Sequence, residues 1–117
     1  MGTGFQKIGF ILGSGPTSVD THTVVRWASA ALESGHQVSI FLVGEGIYNA
    51  LPPATNKNAS KLLHRLCEQG ATISVCSNMA KARGVVADGV GQGITYGLLL
   101  HFSEMIAQCD KLLAFNR

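Results

Sequence analysis

Phe5-Gln6-Lys7-Ile8-Gly9-Phe10-Ile11-Leu12, followed at once by Gly13-Ser14-Gly15-Pro16-Thr17, is the stretch on which the fold turns. The first part is apolar and β-rich and reads as a strand, and the glycine-proline turn ends it. A helix begins directly after the turn. Thr17 and Asp20 stand in the spacing of a capping box, with aspartate in place of glutamate. Val24, Trp27, Ala28, Ala31 and Leu32 recur at intervals of three and four, which predicts one buried face. Gly35 is placed for the left-handed residue after a helix, and residues 36–43 (HQVSIFLV) read as a second strand. Strand, turn, helix and strand at this spacing make a parallel βαβ unit.

The alternation continues outward. Residues 44–50 form a turn, and residues 51–58, with Pro52 and Pro53, form a loop. Asn58 is placed to cap a helix running to Gln69, with Leu62, Leu63 and Leu66 as its apolar stripe and Gly70 as its stop. Residues 71–75 read as a third strand and residues 77–83 as a short helix stopped by Gly84. Three glycines mark residues 85–93 as a loop. Residues 96–108 read as a helix with Leu98, Phe102, Met105 and Ile106 on one face, and residues 110–115 as a closing strand. This order predicts an α/β fold, a mainly parallel sheet with helices on both faces, and one domain over residues 1–117. Reactive groups in such sheets gather at the carboxyl ends of the strands. Those ends are residues 13–17, 44–48 and 76–78, and the tail after Phe115.

Composition narrows the function classes. With 117 residues, 46% of them hydrophobic, the chain can bury a core without a metal or disulfide staple. Charged residues make up 14%, against about 25% in an average globular domain, which argues for surface hidden in an oligomer. The net charge is +2 without a basic run, so an electrostatic footprint for DNA is absent. No apolar run approaches the length of a membrane span, and residues 1–7 do not have the pattern of a signal peptide. Three cysteines at 67, 76 and 109, widely spaced and odd in number, suit a reducing, cytoplasmic setting rather than a disulfide scaffold. His22, His36, His64 and His101 do not stand at metal-ligand spacing, so neither a metal nor another cofactor is expected.

Two segments can carry chemistry. The turn 13–17 has the backbone N–H groups that cradle an anion at a helix start. It lacks the third glycine of a dinucleotide fingerprint, since Ser18 stands there, and no Gly-Lys-Ser/Thr follows. A tight turn is the simpler reading, and a small nucleotide- or anion-binding module with a structural cysteine is the alternative. Cys76 closes the third strand and opens the next helix, which aims its sulfur at the strand-end crevice and predicts a partly exposed thiol. The N–H groups of Asn78 and Met79 and the positive helix end would stabilise a thiolate there. Lys81 and Arg83 add positive charge. Cys67 and Cys109 read as buried core residues, and His64 as part of a solvated face. Glu45 and Tyr48 close the second strand beside the crevice, where they orient a substrate or shape the turn.

Four blocks together resemble the DsrE/TusD-like sulfur-relay (DsrE/DsrF-like) family. They are Gly35-His36 opening the second strand, Glu45-Gly46-Ile47-Tyr48-Asn49-Ala50 after it, Cys76 followed by Arg83-Gly84-Val85, and Cys109-Asp110-Lys111 before the closing strand that ends in Phe115. The Gly-x-Gly-Pro turn fits as well, and the match runs nearly end to end. The resemblance implies a flavodoxin-like three-layer α/β/α fold with about five strands. It implies a sulfur carrier or sulfurtransferase subunit, catalytic in that sense only, in which Cys76 accepts sulfane sulfur as a persulfide and hands it to a partner thiol. Ser77, Asn78, Arg83, Tyr48 and Gly15 then border the persulfide. Sulfur donor and acceptor proteins are the implied partners, homo- or hetero-oligomers (trimers or hexamers) the implied assemblies, and sulfur oxidation or tRNA thiolation the implied pathways. One departure stands out: residues 86–95 form a shorter segment than in such subunits, with Asp88 its single acid.

Overall fold

A computed structural model describes residues 5–52 and 59–116. The elements run β1 (Lys7–Leu12), α1 (Val19–Glu33), β2 (Gln37–Leu42), a 3-10 segment (Gly44–Ala50), α2 (Ala59–Glu68), β3 (Thr72–Cys76), α3 (Ser77–Ala82), a 3-10 turn (Ala87–Gly89), β4 (Ile94–Gly97), α4 (Leu99–Ala107) and β5 (Lys111–Phe115). The five strands form one parallel sheet in the order β4-β3-β2-β1-β5. This confirms the α/β class.

The chain order explains which helix covers which face. From β1 to β4 each strand is added on the same side of its predecessor. The step from β4 to β5 then travels back past the whole sheet to the far side of β1. Right-handed crossovers running in opposite directions place their helices on opposite faces. α1 and α2 accordingly pack together and against β1, β2 and β3, while α4 packs on β3 from the other side. The strands alternate to match. Phe10, Leu12, Val38, Ile40, Leu42, Ile73 and Val75 join Val24, Ala28, Leu63 and Leu66 in the larger core. Phe41 and Cys76 point the other way and join Phe102 of α4 in a smaller cluster, flanked by Ile11, Val43, Met79, Met105, Ile106 and Cys109.

That second face is thinly covered. A helix is about 10 Å across and strands lie about 4.8 Å apart, so one helix shields about two strands of five. Among the described residues α4 is the helix that lies there, and Leu112 and Ala114 of β5 remain exposed. Gly9 of β1 lets the end of α4 come close. A Cβ on it would stand 2.8 Å from Cys109 Sγ and 2.7 Å from Leu112 Cδ2. β1 and β5 are clasped at their start, where Lys7 N donates to Asp110 Oδ2 and Asp110 N to the Lys7 carbonyl, both at 2.7 Å.

Several local expectations need correction. The N-cap of α1 is Ser18, whose Oγ accepts from Asp20 N at 3.1 Å, not Thr17. Ser18 N already donates to the Gly15 carbonyl at 3.0 Å, which keeps Pro16 and Thr17 in the turn. Trp27 is half-exposed, outside the buried face, with its ring edge-on to Phe115 at 5.5 Å. Leu63 and Leu66 are the buried stripe of α2, while Leu62 is exposed; Asn58, expected as its cap, lies outside the described residues. The largest difference is a strand where the first turn of a helix was expected. β4 takes up Ile94–Gly97, and α4 starts only at Leu99. Ile94 pairs with Ile73, and the Tyr96 hydroxyl donates to the Val85 carbonyl at 2.9 Å, which fixes Tyr96 in the sheet.

Candidate functional site

Cys76 is the last residue of the internal strand β3 and the N-cap of α3. The local sequence makes the junction. Thr72, Ile73 and Val75 are β-branched residues that favour a strand, and Ser77-Asn78-Met79-Ala80 turns it into a helix. The cysteine therefore occupies the expected place, but not in the expected manner. Its relative exposure is 0%, where a partly exposed thiol was predicted, and its side chain makes no capping hydrogen bond to α3. β-strand alternation decides this. Cys76 shares the parity of Ser74, on the face covered by α4, and Phe102 packs in that cluster with its ring edge-on to Phe41 at 5.5 Å.

The polar residues of the crevice assemble next to the strand ends. Arg83, the C-cap of α3, pairs with Glu45 through Nη1 and Oε2 at 2.6 Å, and its guanidinium carbon lies 6.0 Å from the Tyr48 ring centroid. Both partners are open to solvent, so the pair contributes only about 0–1 kcal/mol to stability, and its interest is positional. Gly46 puts Glu45 there. It packs so closely on the end of β1 that a Cβ would run into the Leu12 carbonyl. The structure thus joins Arg83, Glu45 and Tyr48, a link that the sequence did not reveal. Asn78 is exposed on the first turn of α3, and Ser77 is buried with its carbonyl 3.5 Å from the Tyr96 hydroxyl. Tyr48 packs on the larger core, on the side away from the Cys76 cluster.

The turn at 13–15 is an internally bonded structure. Gly13 N donates to the Phe115 carbonyl at 2.7 Å, the Gly15 carbonyl accepts from Thr21 Oγ1 at 2.8 Å, and Ser14 Oγ donates to the buried carboxylate of Asp20 at 3.0 Å. A spent N–H and a carboxylate behind the turn both weigh against an anion cradle. Asn49 Nδ2 donates to the Ser14 carbonyl at 3.0 Å, and His64 Nε2 donates to the Asn49 carbonyl at 2.7 Å. His64 is thus a half-buried brace between α2 and the 3-10 segment rather than part of a solvated face.

Cys67 and Cys109 are half-buried, and burial pushes both thiols up from the ordinary cysteine range. Glu68 raises Cys67 further, and Lys7 partly offsets the rise at Cys109. An open groove of about 870 Å³ runs between α2 and residues 90–93 and is lined by Cys67, His64 and Arg65, not by Cys76. Among the described residues no group of three or more His, Cys, Asp or Glu is arranged to hold a metal ion. Nor is any helix there long and apolar enough to cross a membrane.

The model of the DsrE/DsrF-like family matches residues 6–115. Uncharacterized protein MK0008 of Methanopyrus kandleri is 27% identical over 121 aligned residues, covering 98% of this chain and 100% of its own. Uncharacterized protein MJ0989 of Methanocaldococcus jannaschii is 29% identical over 97, covering 80% and 85%. Among solved structures, the ychN protein from E. coli superposes with a TM-score of 0.79 at 24% identity, covering 95% of this chain and all of its own. MTH1491 from Methanobacterium thermoautotrophicum, of unknown function, superposes at 0.70 and 15%, covering 94% and 99%. At these identities the two structures establish the fold.

Proposed function

The chain belongs to the DsrE/DsrF-like family, and from that premise we propose that it is a sulfur carrier that holds sulfane sulfur as a persulfide on Cys76. Family membership supports a function of the sulfur-relay type, and the position of Cys76, ending an internal strand and opening α3, carries the finer reading. The chemistry is thiol exchange. The Cys76 thiolate attacks the outer sulfur of a donor persulfide, forming Cys76–S–SH while the donor's inner sulfur leaves as a thiolate with the electron pair of the broken S–S bond. An acceptor thiolate later attacks the same outer sulfur and frees Cys76. Neither step needs an external oxidant. Ser77 and Asn78 flank the sulfur along α3, Arg83 ends that helix, and Tyr48 and Gly15 border the neighbouring strand ends. We assign Ser77 and Asn78 to holding the charged sulfur, and Arg83, Tyr48 and Gly15 to receiving its donor. Incubation with a persulfide-charged donor protein is expected to add the mass of one sulfur atom, reversibly on reduction. No gain from any donor, with tight binding of a small anion at residues 13–15 instead, would replace this reading with the anion-module alternative.

Arg83 offers a milder test. Removing its side chain breaks the solvent-exposed pair with Glu45 and the contact with the Tyr48 ring, so Arg83→Ala should fold with a stability change under about 2 kcal/mol. Loading of Cys76 should slow severalfold, because a cation near the crevice attracts anionic persulfides. Unchanged loading kinetics would remove Arg83 from the site.

The thinly covered sheet face bears on assembly. Leu98, Leu99 and Leu100 at the start of α4 and Leu112 on β5 are exposed, more apolar surface than a chain with 14% charged residues readily keeps in water. We therefore propose an oligomer, with donor and acceptor proteins as further partners. Light scattering at micromolar concentration is expected to give a multiple of the 12.3 kDa chain mass; a clean monomer refutes this.

A further inference from the structure

Cys76 has 0% exposure and shares a buried cluster with Phe41 and with Phe102 of α4, itself 5% exposed, so a thiol meant to exchange sulfur is packed among aromatic rings. We infer that Phe102 is the residue that decides what reaches Cys76: the thiol reacts only when the first turn of α4 withdraws Phe102 from the Phe41–Cys76 cluster. This rests on the carrier reading for its purpose, but not for its test.

Three observations support the opening. α4 spans nine residues, Leu99–Ala107, with no acidic residue in its first turn and no basic residue in its last, so it lacks the charges that complement a helix dipole. Its N-cap is Leu98, which makes no side-chain capping bond, and Leu98, Leu99, Leu100 and His101 are all exposed. Within one subunit the first turn is therefore anchored chiefly through the buried side chain of Phe102. Helix ends with few buried contacts open far more often than the whole domain unfolds. Ser74 Oγ and Met105 Sδ, 3.8 Å apart, hold the next turn to β3, so the motion can stop there. A diffusible electrophile or peroxide then meets a closed thiol in the resting chain, and a donor that draws the turn aside meets an open one.

The test measures alkylation of each cysteine by N-ethylmaleimide with peptide mapping. Cys67, which packs on the other core, serves as the internal standard in the same molecule, and no sulfur donor is needed. In the wild type, Cys76 should label more slowly than Cys67, at a rate that levels off as reagent concentration rises because opening becomes limiting. Phe102→Ala should speed Cys76 labelling by about tenfold or more while Cys67 is unchanged, as expected of a local rather than global opening. Leu98→Ser supplies the missing cap and should act in the opposite direction, slowing Cys76 about fivefold, the usual effect of an N-cap hydroxyl on a helix end. If Phe102→Ala does not fold, the wild-type saturation and the Leu98→Ser slowing decide alone. Cys76 labelling as fast as Cys67 with no plateau overturns the gate. So does a folded Phe102→Ala protein in which the Cys76 to Cys67 ratio is unmoved. Either result leaves sulfur loading free to be measured separately, so a failed gate and a failed carrier are distinguishable.

Discussion

Cys76→Ser is expected to lose the one-sulfur mass gain completely, whatever the donor, whereas Cys67→Ser and Cys109→Ser keep it. The loss is total because the persulfide bond forms at that sulfur and a hydroxyl cannot accept sulfane sulfur by exchange. Folding must be checked alongside, since the site is fully buried among Phe41, Phe102 and methionines. A hydroxyl placed there without a partner costs about 1–3 kcal/mol. Cys76→Ala, which removes the polar atom and leaves a small void, is the companion variant. Both should remain folded by circular dichroism and both should be uncharged by mass spectrometry. Sulfur uptake by either variant at the wild-type level would sink the carrier reading at this residue.

Gly46→Ala should be among the most damaging single changes. An added Cβ would collide with the Leu12 carbonyl, with Leu12 C at 2.8 Å and Gly13 Cα at 3.4 Å behind it. The obstacle is backbone at the end of β1, so no side-chain rotation relieves it, and the 3-10 segment must lift away with Glu45 and Tyr48. We expect a loss of about 3 kcal/mol or more, at the upper end of overpacking costs, read as a lower urea midpoint or as insoluble protein. Gly97→Ala is the control. Nothing lies within 4 Å of a Cβ there and its backbone is not left-handed, so a change within about 0.5 kcal/mol is expected. Equal effects from the two would refute the close approach.

The sequence made the parallel α/β plan legible because its signals are local. Strand 5–12 and its glycine turn, the four-residue spacing of Val24, Ala28 and Leu32, and Gly35 each act within a few residues. What it concealed was set by distant partners. Ile94–Gly97 is too short to outweigh the helical pattern that follows it, and it becomes a strand because β3 offers an edge and Val85 a carbonyl for Tyr96. The place of Cys76 at a strand end was readable from its neighbours. Its burial was not, since Phe102, which packs in the same cluster, is brought there only by the long crossover from β4 to β5. In the same way Arg83 and Glu45 were each visible as charged residues, but their pairing depends on Gly46 pressing the 3-10 segment onto β1. Leu98, expected on the buried face with Phe102, is instead the exposed N-cap of α4, because β4 takes the residues before it.

The strand order has a consequence for how the chain acquires its structure. β1 to β4 can pair one after another as each is synthesised, but the other edge of β1 waits for β5, whose first contact, between Lys7 and Asp110, spans 103 residues. Until then β1 presents a bare parallel edge, with Ile8, Phe10 and Leu12 on one side of it. Unpaired edges of this kind recruit strands from other chains. The nascent protein is therefore most vulnerable to misassembly in the interval just before its last strand emerges, and chaperone contacts during synthesis should concentrate on that edge.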